Sequence, residues 1–511
     1  MTAQTEPVAQ QRPYPVLKRE CDVVIVGAGI VGMLLGLLLK EQGLSVQLYE
    51  RQSAVYPLPR AVVLSEDNVR LLEIMGLRDV LGGFVVCDDF PWKDAQGNEI
   101  ACISNALSSN ELSEFYPNYL ISQPLVENAI SIRCELKNLQ LYRNWNFTKF
   151  DDRDPTTGYR KVYFERPPLS TSQIFFQNQV EVKCRWLIGA DGANSSVRRA
   201  AGITITDFGF NHEWLVVDTL PDDYEASSKN LPRAQYCDPE RPTTAIASGP
   251  RRHRWEFMRL PGESDKELLN PARLWSLLKP FGVNPEKVEI ERAVIYQFQS
   301  KLVDSFWEDG IGLVGDAGLS SEKLMQSYTS ERRSQADAII KLAIHLGQPL
   351  CITDKKIAVK THGDMLQKYL DSDSEHTKTT PPNLIGEKAM LLDKHYGGSL
   401  ELRAPFRHRD GVVGIRRHVE WVILHSAACK IPAESVKNLE RHQVRMEPLS
   451  KEVDVTGKYH AWISKILGTT EQTKQQELWC ILRPDMYVYG MGNGPETFRD
   501  ALLELESDLK V

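Results

Sequence analysis

A chain of 511 residues with a formal net charge of −7 and 42% hydrophobic residues is too long for one ordinary core. It is also too acidic to suggest a nucleic-acid partner, which generally demands a basic surface. Its nine cysteines stand singly with no C-x-x-C pair, so neither a zinc ribbon nor a redox dithiol is indicated, no metal site is expected, and a reducing, cytoplasmic compartment is. Residues 1–19 are polar and proline-bearing, so no secretory signal is expected there. From Val23 to Leu39 the run "VVIVGAGIVGMLLGLLL" is uncharged and includes Gly32-x-x-x-Gly36. A β-branched run that meets glycines reads as a strand turning into a helix, so no membrane span is expected.

The same segment carries G-x-G-x-x-G at Gly27, Gly29 and Gly32, between the apolar strand and a leucine-rich helix. The first glycine permits a sharp turn, the second admits a pyrophosphate to the backbone, and the third lets helix and strand approach. Glu50 closes the next strand 23 residues after Gly27 (50 − 27), where a carboxylate holds ribose hydroxyls. An acid there suits FAD or NAD over NADP. Further along, "VKCRWLIGADGANSSVRRAAGI" is a strand ending at Asp191-Gly192, and "IGLVGDAG" places Asp316 at a third strand exit. Ligands of open α/β sheets collect outside that carboxyl edge. Aromatic-rich alternating stretches fill about 83–115 and 205–300, where Trp214, Tyr236, Trp255 and Phe257 are candidates for core packing ahead of pocket lining.

Together these strings resemble the FAD-dependent aromatic hydroxylases, the flavoprotein monooxygenases that include p-hydroxybenzoate hydroxylase. The resemblance is narrower to 3-(3-hydroxyphenyl)propionate hydroxylase and its fungal relatives. It rests on "PLPRAVVLSEDNVRLLEIMGL" (57–77), "WLVVDT" (214–219), "QYCDPERPTT" (235–244), "RRHRWEFMRLPGE" (251–263) and "SYTSERRSQADAIIKLAIHLG" (327–347). Near the end, "ELWCILRPDMYVYG" (477–490) is similar to the closing strands of the thioredoxin-like domain that many of these hydroxylases carry.

The resemblance implies an α/β fold: a Rossmann-like FAD/NAD(P)-binding domain of the p-hydroxybenzoate hydroxylase type with an interleaved substrate β-sheet (20–350), a connecting region (351–415) and a thioredoxin-like domain (416–511). Gly27, Gly29 and Gly32 would hold the FAD pyrophosphate and Glu50 the ribose. Arg51, Arg60 and Gln123 fall at further FAD contacts, Asp191 in the DG motif, and Asp316 at the ribityl chain. The implied activity is hydroxylation of a phenolic or related aromatic substrate with NADH or NADPH and O2. A closing domain without a dithiol is read as structural, with a homodimer contact as one option.

The chain departs from the family after Ala317. The family continues with A-A-H, P-P, G-Q-G-x-N and a further helix, whereas this sequence passes through "GLSSEKLMQ" directly to "SYTSERR". About thirty residues that would face the flavin ring are missing by this comparison. A degenerate, non-redox or non-catalytic binding member of the fold is therefore the alternative expectation.

Overall fold

The computed structural model describes residues 16–57, 61–77, 80, 83–87, 89–103, 116, 118–166, 178–222, 232–315, 322–371, 406–407, 413–414, 421–442, 444–450, 454, 458–467, 477–484 and 487–509. Two units interleave along the chain. One comprises Met1–Tyr56, Ile130–Thr204 and Trp307–Ala317; the other comprises Pro57–Ala129, Ile205–Phe306 and Gly318–Val511.

The first unit is built on a six-stranded sheet in the order 307–308, 311–313, 186–189, 23–26, 46–50, 140–143, parallel except at its 307–308 edge. A strand covered on both faces must be apolar at successive positions, and "VVIV" (Val23–Val26) is buried throughout. The helix Ile30–Glu41 follows, burying Met33, Leu34, Leu35 and Leu37. Gly36 faces the sheet so closely that a Cβ there would lie 2.8 Å from Leu48 and 2.9 Å from Leu139. The Gly32/Gly36 pair therefore serves helix–sheet packing. Among the described residues no helix is long and apolar enough to cross a membrane.

In the second unit a seven-stranded sheet runs 288–303, 205–221, 253–258, 243–247, 234–237, 90–94, 99–103. Its two faces follow from strict alternation. Leu215, Val217, Trp255 and Phe257 point to one side and pack on Leu274, Leu277 and Leu278 of the helix Pro271–Leu278. Burying each such side chain contributes about 1.5–3 kcal/mol. Trp214 and Met258 point to the other side, where Leu346 of the helix Glu322–Gly347 and Met365 and Leu366 of the helix Lys355–Asp371 cover them. Trp214, Trp255 and Phe257 are thus core residues, and Tyr236 packs half-buried against the same core.

The last sheet runs 445–448, 422–425, 478–482, 488–493, the first pair parallel and the others antiparallel. Tyr459, Trp462 and Ile463 of the helix Lys458–Ile466 cover one face. Leu439 of the helix Ala433–Arg441, with Phe498, Leu502 and Leu505 of the helix Pro495–Leu509, covers the other. Arg483, at the end of its third strand, makes a buried two-pronged ion pair with Glu331 of the helix Glu322–Gly347, at 2.9 and 2.7 Å.

Candidate functional site

The glycine turn of the first unit is tightly determined. Gly27 sits at φ +103°, donates its N–H to the Tyr49 carbonyl at 2.8 Å, and has no room for a side chain, since a Cβ would lie 2.4 Å from the Ala190 carbonyl oxygen. A Cβ on Gly32 would lie 2.1 Å from the Gly27 oxygen. These two glycines are required by packing within the protein. Gly29 is different: it is extended, and nothing lies within 4 Å of where its Cβ would stand. It caps the helix Ile30–Glu41 without a side-chain hydrogen bond, and the first turn carries no acid. The outcome is a helix N-terminus with no side-chain cap and open space beside Gly29, where N–H groups and the positive dipole end favour an anion.

Glu50 is aimed at this turn. Its half-buried carboxylate accepts the Ala28 N–H through Oε2 and the Gln52 N–H through Oε1, both at 2.8 Å. Each oxygen keeps a lone pair for a further donor, as ribose hydroxyls would supply. Arg51 next to it is exposed. The open glycine, the uncapped helix and the inward carboxylate fit a dinucleotide with its diphosphate at Gly29.

Asp191 lies against the same turn through the Ala190 backbone, but its carboxylate serves its own loop. It accepts from the Ser195 hydroxyl, the Ser196 N–H (2.6 Å) and hydroxyl (3.0 Å), and the Val197 N–H (3.2 Å). Asp191 thereby fixes the loop that backs the glycine turn. In the second unit, Gln123 accepts the Ala61 N–H at 2.7 Å and donates to buried Glu127 at 2.5 Å, tying the chain at residue 61 to the helix Gln123–Leu136. Arg60 and Asp316 lie outside the described residues, as do 317–321 after the third strand exit.

Sequence reasoning passed over a second group. On the seven-stranded sheet, Asp218 pairs in register with both Arg254 and Arg292. Arg254 grips it at 2.7 and 3.1 Å, Arg292 stands 3.7 Å away, and all three are buried. Glu256 follows two residues after Arg254 on the same face, with 19% of its side chain exposed. Burial pushes its carboxyl above the usual carboxylate range, with Arg254 opposing that shift and Asp218 adding to it. Charges at alternate positions inside "RRHRWEFM" were the available signal.

Residues 20–318 match the family described as FAD binding domain. A relative named "Probable NADH-specific resorcinol 4-hydroxylase" from Rhodococcus jostii is 26% identical over 382 residues, 68% of this chain and 69% of its own length. The 3-(3-hydroxy-phenyl)propionate/3-hydroxycinnamic acid hydroxylase of Paraburkholderia xenovorans is 26% identical over 67% of this chain and 57% of its own. That of Mycolicibacterium gilvum is 27% identical over 66% and 62%. The chain therefore spans between 57% and 69% of the length of these relatives. Among solved structures, the flavin-dependent monooxygenase PieE in complex with FAD and substrate superposes with a TM-score of 0.74 at 14% identity, over 96% of this chain and 99% of its own. Aklavinone-11 hydroxylase in a ternary complex with FAD and aklavinone does so at 0.68 and 18%, with the same coverage. At such identities the likeness establishes the fold.

Proposed function

Because the chain belongs to the FAD-binding-domain family, we propose that it is an FAD-dependent monooxygenase that uses NADH or NADPH and O2 to hydroxylate a phenolic or related aromatic substrate. The observation that carries this reading is the bare helix N-terminus at Gly29 with the Glu50 carboxylate turned toward it. Bound FAD supplies the electron transfer and oxygen activation. Gly27 and Gly32 hold the turn in shape, Gly29 admits the diphosphate, and Glu50 receives the ribose hydroxyls. Asp191 braces the turn from behind and Gln123 holds the backbone at Ala61. Arg51, Arg60 and Asp316 complete the assignment by resemblance. No observation favours the non-redox alternative.

The terminal sheet is read as a thioredoxin-like domain, which its strand order and its helices on both faces support. Its cysteines are buried, and the Cys429 thiol donates to the Glu477 carbonyl, so a structural role suits it better than dithiol exchange. All nine cysteines are free, which agrees with a cytoplasmic protein. The mass of the holoprotein in solution tests the homodimer option.

The decisive experiment is the flavin content of the purified chain, followed by NADH and NADPH oxidation with and without resorcinol and label transfer from 18O2 to the product. A yellow protein whose oxidation is stimulated by a phenol is the expected result. A colourless protein that excess FAD cannot reconstitute would sink the proposal.

A further inference from the structure

The seven-stranded sheet has one face that packs mainly apolar side chains and one that carries buried charges. On the second face, one apolar cluster lies around Trp214 and Met258 and another around Ile246. Between them runs a polar band, and most of its members are satisfied internally. Arg254 holds Asp218, the Thr244 hydroxyl donates to Gln235 at 2.6 Å, and Arg292 donates to the Tyr296 hydroxyl. Glu256 accepts no hydrogen bond among the described residues, and its nearest cation, Arg254, is 3.9 Å away.

Its setting makes this informative. Glu256 lies on an inner strand, paired with Val216 on one side and Thr244 on the other. Those neighbours are 1% and 7% exposed, whereas Glu256 keeps 19% of its side chain accessible. The Glu256 side chain is therefore reachable from solvent where its strand neighbours are not. Leaving a half-buried carboxylate without a donor is unfavourable, and such groups are expected where a ligand completes the set.

We propose that Glu256 receives the hydroxyl group of the aromatic substrate, accepting its hydrogen bond and then its proton. The phenolic O–H bond breaks as the Oε–H bond forms, the electron pair stays on oxygen, and the resulting phenolate has the electron-rich ring that oxygen transfer needs. The raised carboxyl brings its affinity for protons closer to that of a phenol, which is the match general-base catalysis requires. The charged and titratable neighbours on this face are Arg254, Asp218, Arg292 and Tyr296. Asp218 holds Arg254 by two hydrogen bonds and so keeps that guanidinium from closing on Glu256. The assignment rests on the proposed function.

The test uses the FAD-loaded full chain, with resorcinol as probe and 1,3-dimethoxybenzene as its non-ionising counterpart. NADH oxidation and product formation are followed across pH for the wild type, Glu256→Gln and Glu256→Asp. The Gln variant should keep its FAD content and melting temperature but lose about 100-fold or more in kcat with resorcinol. Its acid limb should vanish, with the rate rising only where resorcinol ionises unaided, and Asp should restore part of the rate. Binding of 1,3-dimethoxybenzene should be equal in wild type and Gln variant. A Gln variant within roughly threefold of wild type, or a loss that merely tracks FAD content with the pH profile unchanged, overturns the assignment. Should the Gln variant not fold, a wild-type profile without an acid limb overturns it alone. A wild type that holds no FAD or ignores every phenol defeats the proposed function first, and Glu256 with it.

Discussion

Parallel β-α-β units form at Val23–Glu50 and at Val422–Pro448, and the two use the architecture for opposite ends. In the first, the strand passes through Gly27–Gly29 straight into its helix, which begins uncapped and without an acid in its first turn. In the second, a longer loop leads through the buried Cys429 to Pro432, and Glu434 sits in the first helical turn. That carboxylate already satisfies the positive dipole end. Of these two units, only the first has a helix that begins without an acid in its first turn. The second is turned toward the protein itself: Arg483 of its sheet grips Glu331, and Tyr487 accepts from Gln335 at 2.6 Å beneath the Arg332 guanidinium. The comparison teaches that the turn, not the β-α-β topology, decides whether such a unit meets a ligand.

The harshest way to break the contrast is to fill the first turn. Gly32→Val should abolish FAD retention and lower the melting temperature sharply, because even a Cβ meets the Gly27 oxygen at 2.1 Å. Flavin absorbance after gel filtration reads the result, and a Gly32→Val protein that stays yellow would refute the packing account. Next in size is the anchor of the second unit. Glu331→Gln should cost about 3–5 kcal/mol by leaving part of a buried charge uncompensated, whereas Glu331→Leu with Arg483→Met should recover most of it. Denaturant melts check this, and FAD content per folded chain should not change. If FAD content fell with the ion pair, the division into a ligand-facing and a protein-facing unit would be wrong.

Smaller again is Glu50→Gln. The amide oxygen can still accept the Ala28 N–H, so the fold should persist. Losing the charge-assisted contact to ribose should weaken FAD about tenfold, roughly 1.4 kcal/mol. Titration of apoprotein with FAD measures it, and an unchanged affinity would remove Glu50 from the site.

Much of the first unit was legible because its determinants are local. The β-branched strand, three glycines at fixed spacing and an acid at the next strand end all lie within one short span. Asp191 was legible as a position, and "DGANSSV" carries the donors its carboxylate accepts within six residues. The Asp218–Arg254 pair could not be read, because strand register joins residues 36 apart. Nor could Glu256, since alternation shows that two faces exist but not which one the helix Pro271–Leu278 will cover. Trp255 and Phe257 read from sequence as core ahead of pocket, and the helix Pro271–Leu278 is what claims them. The β-branched run before Gly32-x-x-x-Gly36 reads against a membrane span, and the contacts at Leu48 and Leu139 show what Gly36 packs on.

The smallest expected change in stability is also the most discriminating. Gly29→Ala puts a methyl group where no atom lies within 4 Å, on backbone that any residue adopts. Reducing the freedom of the unfolded chain should stabilise the protein by about 0.4–1 kcal/mol. Alanine is a poorer helix cap than glycine by about half a kcal/mol or more, which offsets that gain. The apoprotein should therefore melt within about 0.5 kcal/mol of wild type. FAD affinity should nevertheless fall at least tenfold, since the added methyl occupies the diphosphate's approach to the backbone. Gly32 and Gly29 thus separate cleanly, one substitution harming the protein with or without ligand and the other harming only the complex. An alanine at 29 that left both melting and FAD affinity untouched would mean that the open side of this turn faces no ligand.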